Sequence, residues 1–221
     1  MSIWNYEKKV VLQAAQQMAQ KGLVVGTSGN VSLRLGVHGE RELMAITPSG
    51  RYYDSLGVDN IVVVDFEGGR IEGELDASIE KMLHIGVYKT RKKVNAVIHT
   101  HPAFGSALAV AGLEIPAILD DQVAQIGGEI RVAEYALPGS PELVKNVLSA
   151  LGPRNAVLLA NHGALGVGRD MREAFTVCEL LEKTAKIYVC ALSLGKVNLL
   201  PAEIAEVEKA FFAALHGESE A

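Results

Sequence analysis

Residues 95–102 read NAVIHTHP, an apolar run that ends on two histidines and a proline. The run has the composition of a strand, and a proline cannot donate to a sheet ladder, so the strand should end there. Side chains at i and i+2 share a face only on a strand; on a helix, at ~100° per residue, they would sit ~200° apart. His99 and His101 are therefore expected to project side by side from a strand end next to a loop. Two imidazoles so placed form a chelating pair.

The rest of the chain supplies the surroundings. The spacing predicts a helix over 3–21 that stops at Gly22, and strands over 31–35 and 43–46. A hairpin is expected from 60–66 and 70–75 across Glu67-Gly68-Gly69. Helical spacing returns over 77–90, with Ile79, Leu83 and Val87 on one side. After the histidine strand come a helix over 102–111 and strands near 115–119 and 130–137. Ser140-Pro141 opens a helix, the serine capping and the proline at the first helical position. A buried strand over 156–161 and helices over 171–194 and 202–215 complete the pattern, with 216–221 frayed. Without repeats or low-complexity linkers, this predicts a single α/β domain over 1–221. Its central mixed, largely antiparallel sheet is flanked by helices.

Net charge is −5 with no long basic run, which excludes nucleic acid as the main partner and leaves a local anion site open. No apolar span of 18 residues occurs, and Glu7, Lys8 and Lys9 interrupt the start where a signal peptide needs an apolar stretch. A cytoplasmic protein with no membrane partner is expected. Cys178 and Cys190, 12 positions apart on one predicted helix, would be ~18 Å apart and cannot pair. Both are expected to be buried, reduced thiols. GVG at 166–168 is not a nucleotide loop, because no GxGxxG or GK[ST] accompanies it.

A third histidine, His162, follows the buried strand and precedes a glycine. Alone it reads as structural; with the pair it completes a three-imidazole set of the kind that holds a catalytic zinc with one open position. Glu80 and His84, at i and i+4, are neighbours on one predicted helix face. By spacing alone, Glu80 is a helix charge and no more.

The segments GTSGNVSLR, ITPSG, ASIEKMLHIGVYKTRKKVNAVIHTHP, IPAI and LLANHGAL follow one another across a core of 7–195. Glu80 stands 19 positions before His99, and His162 stands 63 after it. In this ordered set the chain resembles the class II aldolase/adducin family, and its sugar-phosphate aldolase branch in particular. The resemblance implies a divalent metal, usually Zn2+ but also Mn2+ or Co2+, on His99, His101 and His162. It makes Glu80 the acid/base, approaching the empty metal and moving off it when substrate binds. It also implies a homotetramer with sites between subunits, acting on a phosphorylated small sugar. Matching positions for the phosphate are Thr27, Gly29, Asn30, Ser49, Gly50 and Ser78, in turns whose N–H groups and hydroxyls need no Lys or Arg. The implied reaction is cleavage of a ketose 1-phosphate to dihydroxyacetone phosphate and a short aldehyde through a metal-stabilised enediolate. A dehydratase or decarboxylase of the same family is the alternative, and a non-catalytic adducin-like module would need neither the histidines nor Glu80.

Three positions depart from the aldolase pattern. The second of its two serines before the glutamate is Ile79 here. Its proton-donating tyrosine after IPAI is missing, and Asp120, Asp121 and Gln122 occupy that stretch. Residues 196–221 contain no tyrosine either. The proton for the aldehyde oxygen is then expected from water or from one of those three side chains.

Overall fold

The computed structural model describes residues 2–217. Eight strands form one sheet: β1 (Asn30–His38), β2 (Arg41–Ile46), β3 (Val62–Asp65), β4 (Arg70–Glu72), β5 (Ala96–Thr100), β6 (Val132–Ala133), β7 (Ala156–Leu159) and β8 (Gly163–Gly168). Their order is β4-β3-β2-β1-β5-β8-β7-β6. Every neighbouring pair is antiparallel except β6 with β7. The sheet is mixed and largely antiparallel, as the strand pattern predicts.

Alternation along the strands builds a layer on each face. On β1, Val31, Leu33 and Leu35 pack with the helix α1 (Asn5–Gln20), whose Val11, Ala15 and Met18 supply the other half. On the opposite face, Met44, Val64, Val97, Val157 and Leu165 meet α2 (Lys81–Thr90) through Leu83 and Val87. They also meet α5 (Pro141–Leu151) through Leu143 and Val147. Leu158 and Ala164 pack with α3 (Ala103–Ala111) and with the long α6 (Met171–Ser193). Each fully buried aliphatic side chain contributes about 1.5–3 kcal/mol of transfer free energy. Helices α4 (Asp120–Ile126) and α7 (Ala202–His216) pack on each other beside this framework. On β5, Ile98 joins the α1 layer and Val97 joins the α2 layer, so alternation sends His99 and His101 toward α2.

Several elements differ from the sequence expectation. GALGVG is the strand β8, hidden by three glycines in six residues, a composition that strands disfavour. Two of the glycines are required because α6 lies against the strand. A Cβ on Gly166 would stand 2.5 Å from Cys178 Sγ, and one on Gly168 would stand 2.4 Å from the Ala174 nitrogen. The strand expected at 130–137 shrinks to β6, and that at 115–119 to a single bridge, Ile115 with Ile130. Between them α4 forms, where no helix was expected. The helix expected from 77 begins at Lys81, and Ile79 is 66% exposed in the preceding loop instead of joining Leu83 and Val87 in the core. At the other end, α7 runs through His216, which is buried, so fraying does not begin there; 218–221 lie outside the described residues. Cys178 is buried as expected, but Cys190 is exposed, on the outer face of α6.

Candidate active site

Strand β5 ends at Thr100 between β1 and β8, with Asn30 opposite His99 on one side and Leu165 opposite it on the other. The β7–β8 turn, 160–162, brings the third imidazole. Asn161 has φ +55°, the only positive value at a non-glycine among the described residues, and asparagine tolerates it best. Gly163 then allows the turn to reach β5: a Cβ there would lie 2.3 Å from the Thr100 carbonyl oxygen and 3.0 Å from His101 Cδ2. In NHG the asparagine turns the chain, the histidine points at the pair, and the glycine gives it room. His99 Nε2 lies 2.9 Å from His101 Nε2 and 3.3 Å from His162 Nε2.

The imidazoles are set up for a cation. His99 Nδ1–H donates to the Ala164 carbonyl at 3.0 Å, which leaves the lone pair on Nε2, facing the other two rings. Burial, followed by the nearby His101 and His162, holds His99 well below its usual value; burial and then His162 lower His101 as well. Ligand atoms from all three residues lie within 4.8 Å of one another. Tetrahedral zinc with Zn–N near 2.0–2.1 Å separates its nitrogens by about 3.3 Å, so the observed spacing fits a divalent metal.

Glu80 occupies the N-cap position of α2 without a side-chain cap bond, and is buried, 6% exposed. Its N–H donates to Ser78 Oγ at 3.2 Å. Oε2 accepts from Asn30 Nδ2 at 2.9 Å and lies 3.3 Å from His99 Nε2. Oε1, 3.7 Å from His162 Nε2, is buried without a hydrogen-bond partner, as is Asn30 Oδ1. A buried carboxylate with one oxygen unsatisfied is costly unless a cation or a proton donor arrives.

Beside this cluster lies a cavity of about 290 Å³. Its walls are Thr27 to Asn30, Pro48 to Gly50, Ser78 to Glu80, and Pro138, with His101 and His162 at one end. All six residues matched to the phosphate therefore reach one space, although they come from three separate segments. The N–H groups of Ser49 and Ser78 donate to the Asp76 and Thr47 carbonyls. The loops thus fold on themselves and line the space with Thr27, Ser49 and Ser78, with no Lys or Arg among the described residues of the wall. Sequence reasoning missed Tyr53, whose phenol donates to the Gly29 carbonyl at 2.5 Å and to the Ser28 carbonyl at 3.2 Å. Gly29 itself, at φ +74°, passes so close to β5 that a Cβ would lie 2.7 Å from the His99 carbonyl oxygen. No motif flags a tyrosine 24 positions away as the clamp on this loop.

The three suggested proton sources do not line the cavity of their own chain. Gln122 is a buried staple: its Nε2 donates to the Pro116 and Gly128 carbonyls, and its Oε1 accepts from the Ile118 N–H. Asp121 pairs with Lys183 at 2.5 Å. Asp120 is exposed at the start of α4.

Comparison with known proteins identifies the family. Residues 9–189 match the class II aldolase and adducin N-terminal domain. The 5-deoxy-D-ribulose 1-phosphate aldolase of Bacillus thuringiensis serovar kurstaki is 35% identical over 195 residues, 88% of this chain and 90% of that one. The 5-methylthioribulose-1-phosphate/5-deoxyribulose-1-phosphate aldolase of Rhodospirillum rubrum is 37% identical over 194 residues, 87% and 85% of the two chains. A solved L-fuculose 1-phosphate aldolase superposes with a TM-score of 0.88 at 36% identity, over 96% of this chain and 97% of that one. With its imidazole cluster, its buried glutamate and this match over most of its length, the chain belongs to the class II aldolase and adducin family.

Proposed function

We propose that this protein is a metal-dependent aldolase that cleaves a ketose 1-phosphate to dihydroxyacetone phosphate and a short aldehyde. The observation that carries the reading is Glu80 Oε1, unpartnered and buried between the three imidazoles and the hydroxyl-lined cavity. His99, His101 and His162 would hold a divalent metal, zinc by the donor set. Bound there, it would polarise the substrate carbonyl and acidify the adjacent C–H bond. The hydroxyls of Thr27, Ser49 and Ser78, with the backbone of Gly29 and Gly50, take the phosphate. Asn30 holds Glu80 Oε2, so Oε1 is the oxygen that moves the proton. In cleavage water takes the C4 hydroxyl proton as C4 becomes the aldehyde carbonyl, and the C3–C4 bond breaks with its electron pair staying on the three-carbon fragment. Glu80, protonated from solvent beforehand, delivers its proton to C3. In the reverse direction Oε1 removes that proton.

The substrates named for the two curated relatives are ketose 1-phosphates without a 5-hydroxyl, and here Ile79 and Pro138 give the cavity an apolar wall. A 5-deoxyketose 1-phosphate is accordingly the first substrate to offer. Ile79, Tyr135 and Leu137 are exposed, which supports the homotetramer with sites between subunits. Among the described residues no helix is long and apolar enough to cross a membrane; action on a dissolved sugar phosphate in the cytoplasm is part of the proposal. The test incubates the zinc-loaded protein with dihydroxyacetone phosphate in deuterated water, then adds short aldehydes. Exchange at one C–H position followed by adduct formation is expected. Absence of both would remove the aldolase reading and favour a dehydratase or decarboxylase.

A further inference from the structure

Asn30, Ser32 and Arg34 alternate along one face of β1, while Glu80, His84 and Tyr88 recur every fourth residue along α2 and its cap. Two strand residues advance about 6.8 Å. Four helical residues advance about 6 Å. The two rows therefore stay nearly in step, and each rung is bonded. Asn30 Nδ2 donates to Glu80 Oε2 at 2.9 Å. Ser32 Oγ lies 2.7 Å from both His84 Nδ1 and the Tyr88 hydroxyl. Arg34 Nη2 donates to the Tyr88 carbonyl at 2.6 Å, and the guanidinium stands 5.0 Å from the Tyr88 ring centre.

We propose that Ser32, His84 and Tyr88 are positioning residues, a buried polar ladder that fixes the axial register of α2 and thereby the place of the Glu80 carboxylate beside the imidazole cluster. The proposal takes from the aldolase reading only that Glu80 moves the proton. All three side chains are fully buried, in a layer otherwise filled by apolar side chains, mostly Val, Leu and Ile. Apolar side chains there would hold the helix at least as firmly, because buried polar groups gain little net stability. Apolar contacts are non-directional and permit sliding; hydrogen bonds of 2.7 Å do not. Glu80 has most to lose from sliding, because it stands at the N-terminal end of α2 and its carboxylate accepts a single hydrogen bond among the described residues, the one from Asn30. His84 also retains a buried Nε2 without a partner, a cost with no return in packing.

The test compares Ser32→Ala and His84→Leu, which break the ladder, with His84→Asn, which keeps a polar atom near the Nδ1 position, and with the nearly isosteric Tyr88→Phe. Crystal structures of these proteins should show Glu80 displaced or split in the first two and in place in His84→Asn. Steady-state rates should show kcat reduced about 10- to 100-fold in the first two, as for a misplaced catalytic group. KM should stay within about twofold, and zinc content should not change. Tyr88→Phe should lose less, because it removes one of the two bonds to Ser32 and leaves Ser32 with His84 and Arg34 with the carbonyl of residue 88. Glu80 unmoved in Tyr88→Phe and in whichever ladder-breaking variants fold would overturn the proposal, as would kcat unchanged while stability falls. If the parent protein performs no aldol chemistry, the crystal structures still decide the ladder, and only the reading of the reaction falls.

Discussion

The two oxygens of Glu80 have different surroundings, and that asymmetry sets the expectation for its variants. Glu80→Gln can still meet Asn30 and fill the same space, but it cannot carry a proton. Turnover should fall by about 10²- to 10⁴-fold, with zinc content by elemental analysis unchanged. Near-normal turnover would return Glu80 to a structural role. Gly163→Ala probes the other half of the site, since its Cβ would collide with the Thr100 carbonyl and crowd His101. The β7–β8 turn must then retreat, and bound zinc should drop well below one per chain, as it should in His99→Ala and His162→Ala. Full zinc stoichiometry in all three would show that the metal lies elsewhere. The histidine pair was legible in the sequence because strand geometry alone orients i and i+2. Asn161, Gly163 and Tyr53 were not, because their roles are a left-handed turn, a close backbone approach and a contact across 24 residues.

Elements that carry their own punctuation were the legible ones. The serine cap with proline announced α5, and Ser140 Oγ does accept from the Leu143 N–H at 3.2 Å. The apolar stretches at 31–35 and 43–46, split by a polar, glycine-containing turn, announced β1 and β2. Strand β8 and helix α4 lacked such marks: one is half glycine, and the other has seven residues, with only Val123 and Ile126 as an apolar face beside the Gln122 staple. The glycines of β8 should therefore matter more than their strand propensity suggests. Gly166→Ala would press on Cys178 Sγ, and Gly168→Ala on the α6 backbone at Ala174. Each should cost about 1–3 kcal/mol by overpacking, read as a lower midpoint in denaturant unfolding. Ser140→Ala, which removes one cap, should cost about 1 kcal/mol. A Gly168→Ala protein as stable as the parent would mean that α6 is free to move away from the sheet.

At the scale of the molecule, the imidazole cluster sits at the Thr100 end of the β5–β8 ladder, and the attachment of α7 sits beyond its other end, where Gly168 pairs with Ala96. There Glu173, in the first turn of α6, accepts from Arg169 and lies 2.8 Å from His216 Nε2 on α7, while Phe212 stacks on the His216 ring. Burial would raise the Glu173 carboxyl, but the hydrogen bonds from Arg169 and His216 outweigh it and leave the group below its usual 4.5. A carboxylate depressed in the folded state contributes stability that is present above its unfolded value, near 4.3. That stability is lost as pH falls through the lower folded value. Glu173→Gln removes this contribution at every pH. The parent should therefore unfold at a higher temperature than the variant at pH 7, and the gap should close as the pH drops from about 5 toward 3. Because the ion pair lies at the far end of the ladder, zinc content in Glu173→Gln should match the parent at neutral pH. Thermal unfolding of both proteins across that range checks the point: a gap that stays constant with pH would mean that Glu173 holds α7 by packing and not by charge.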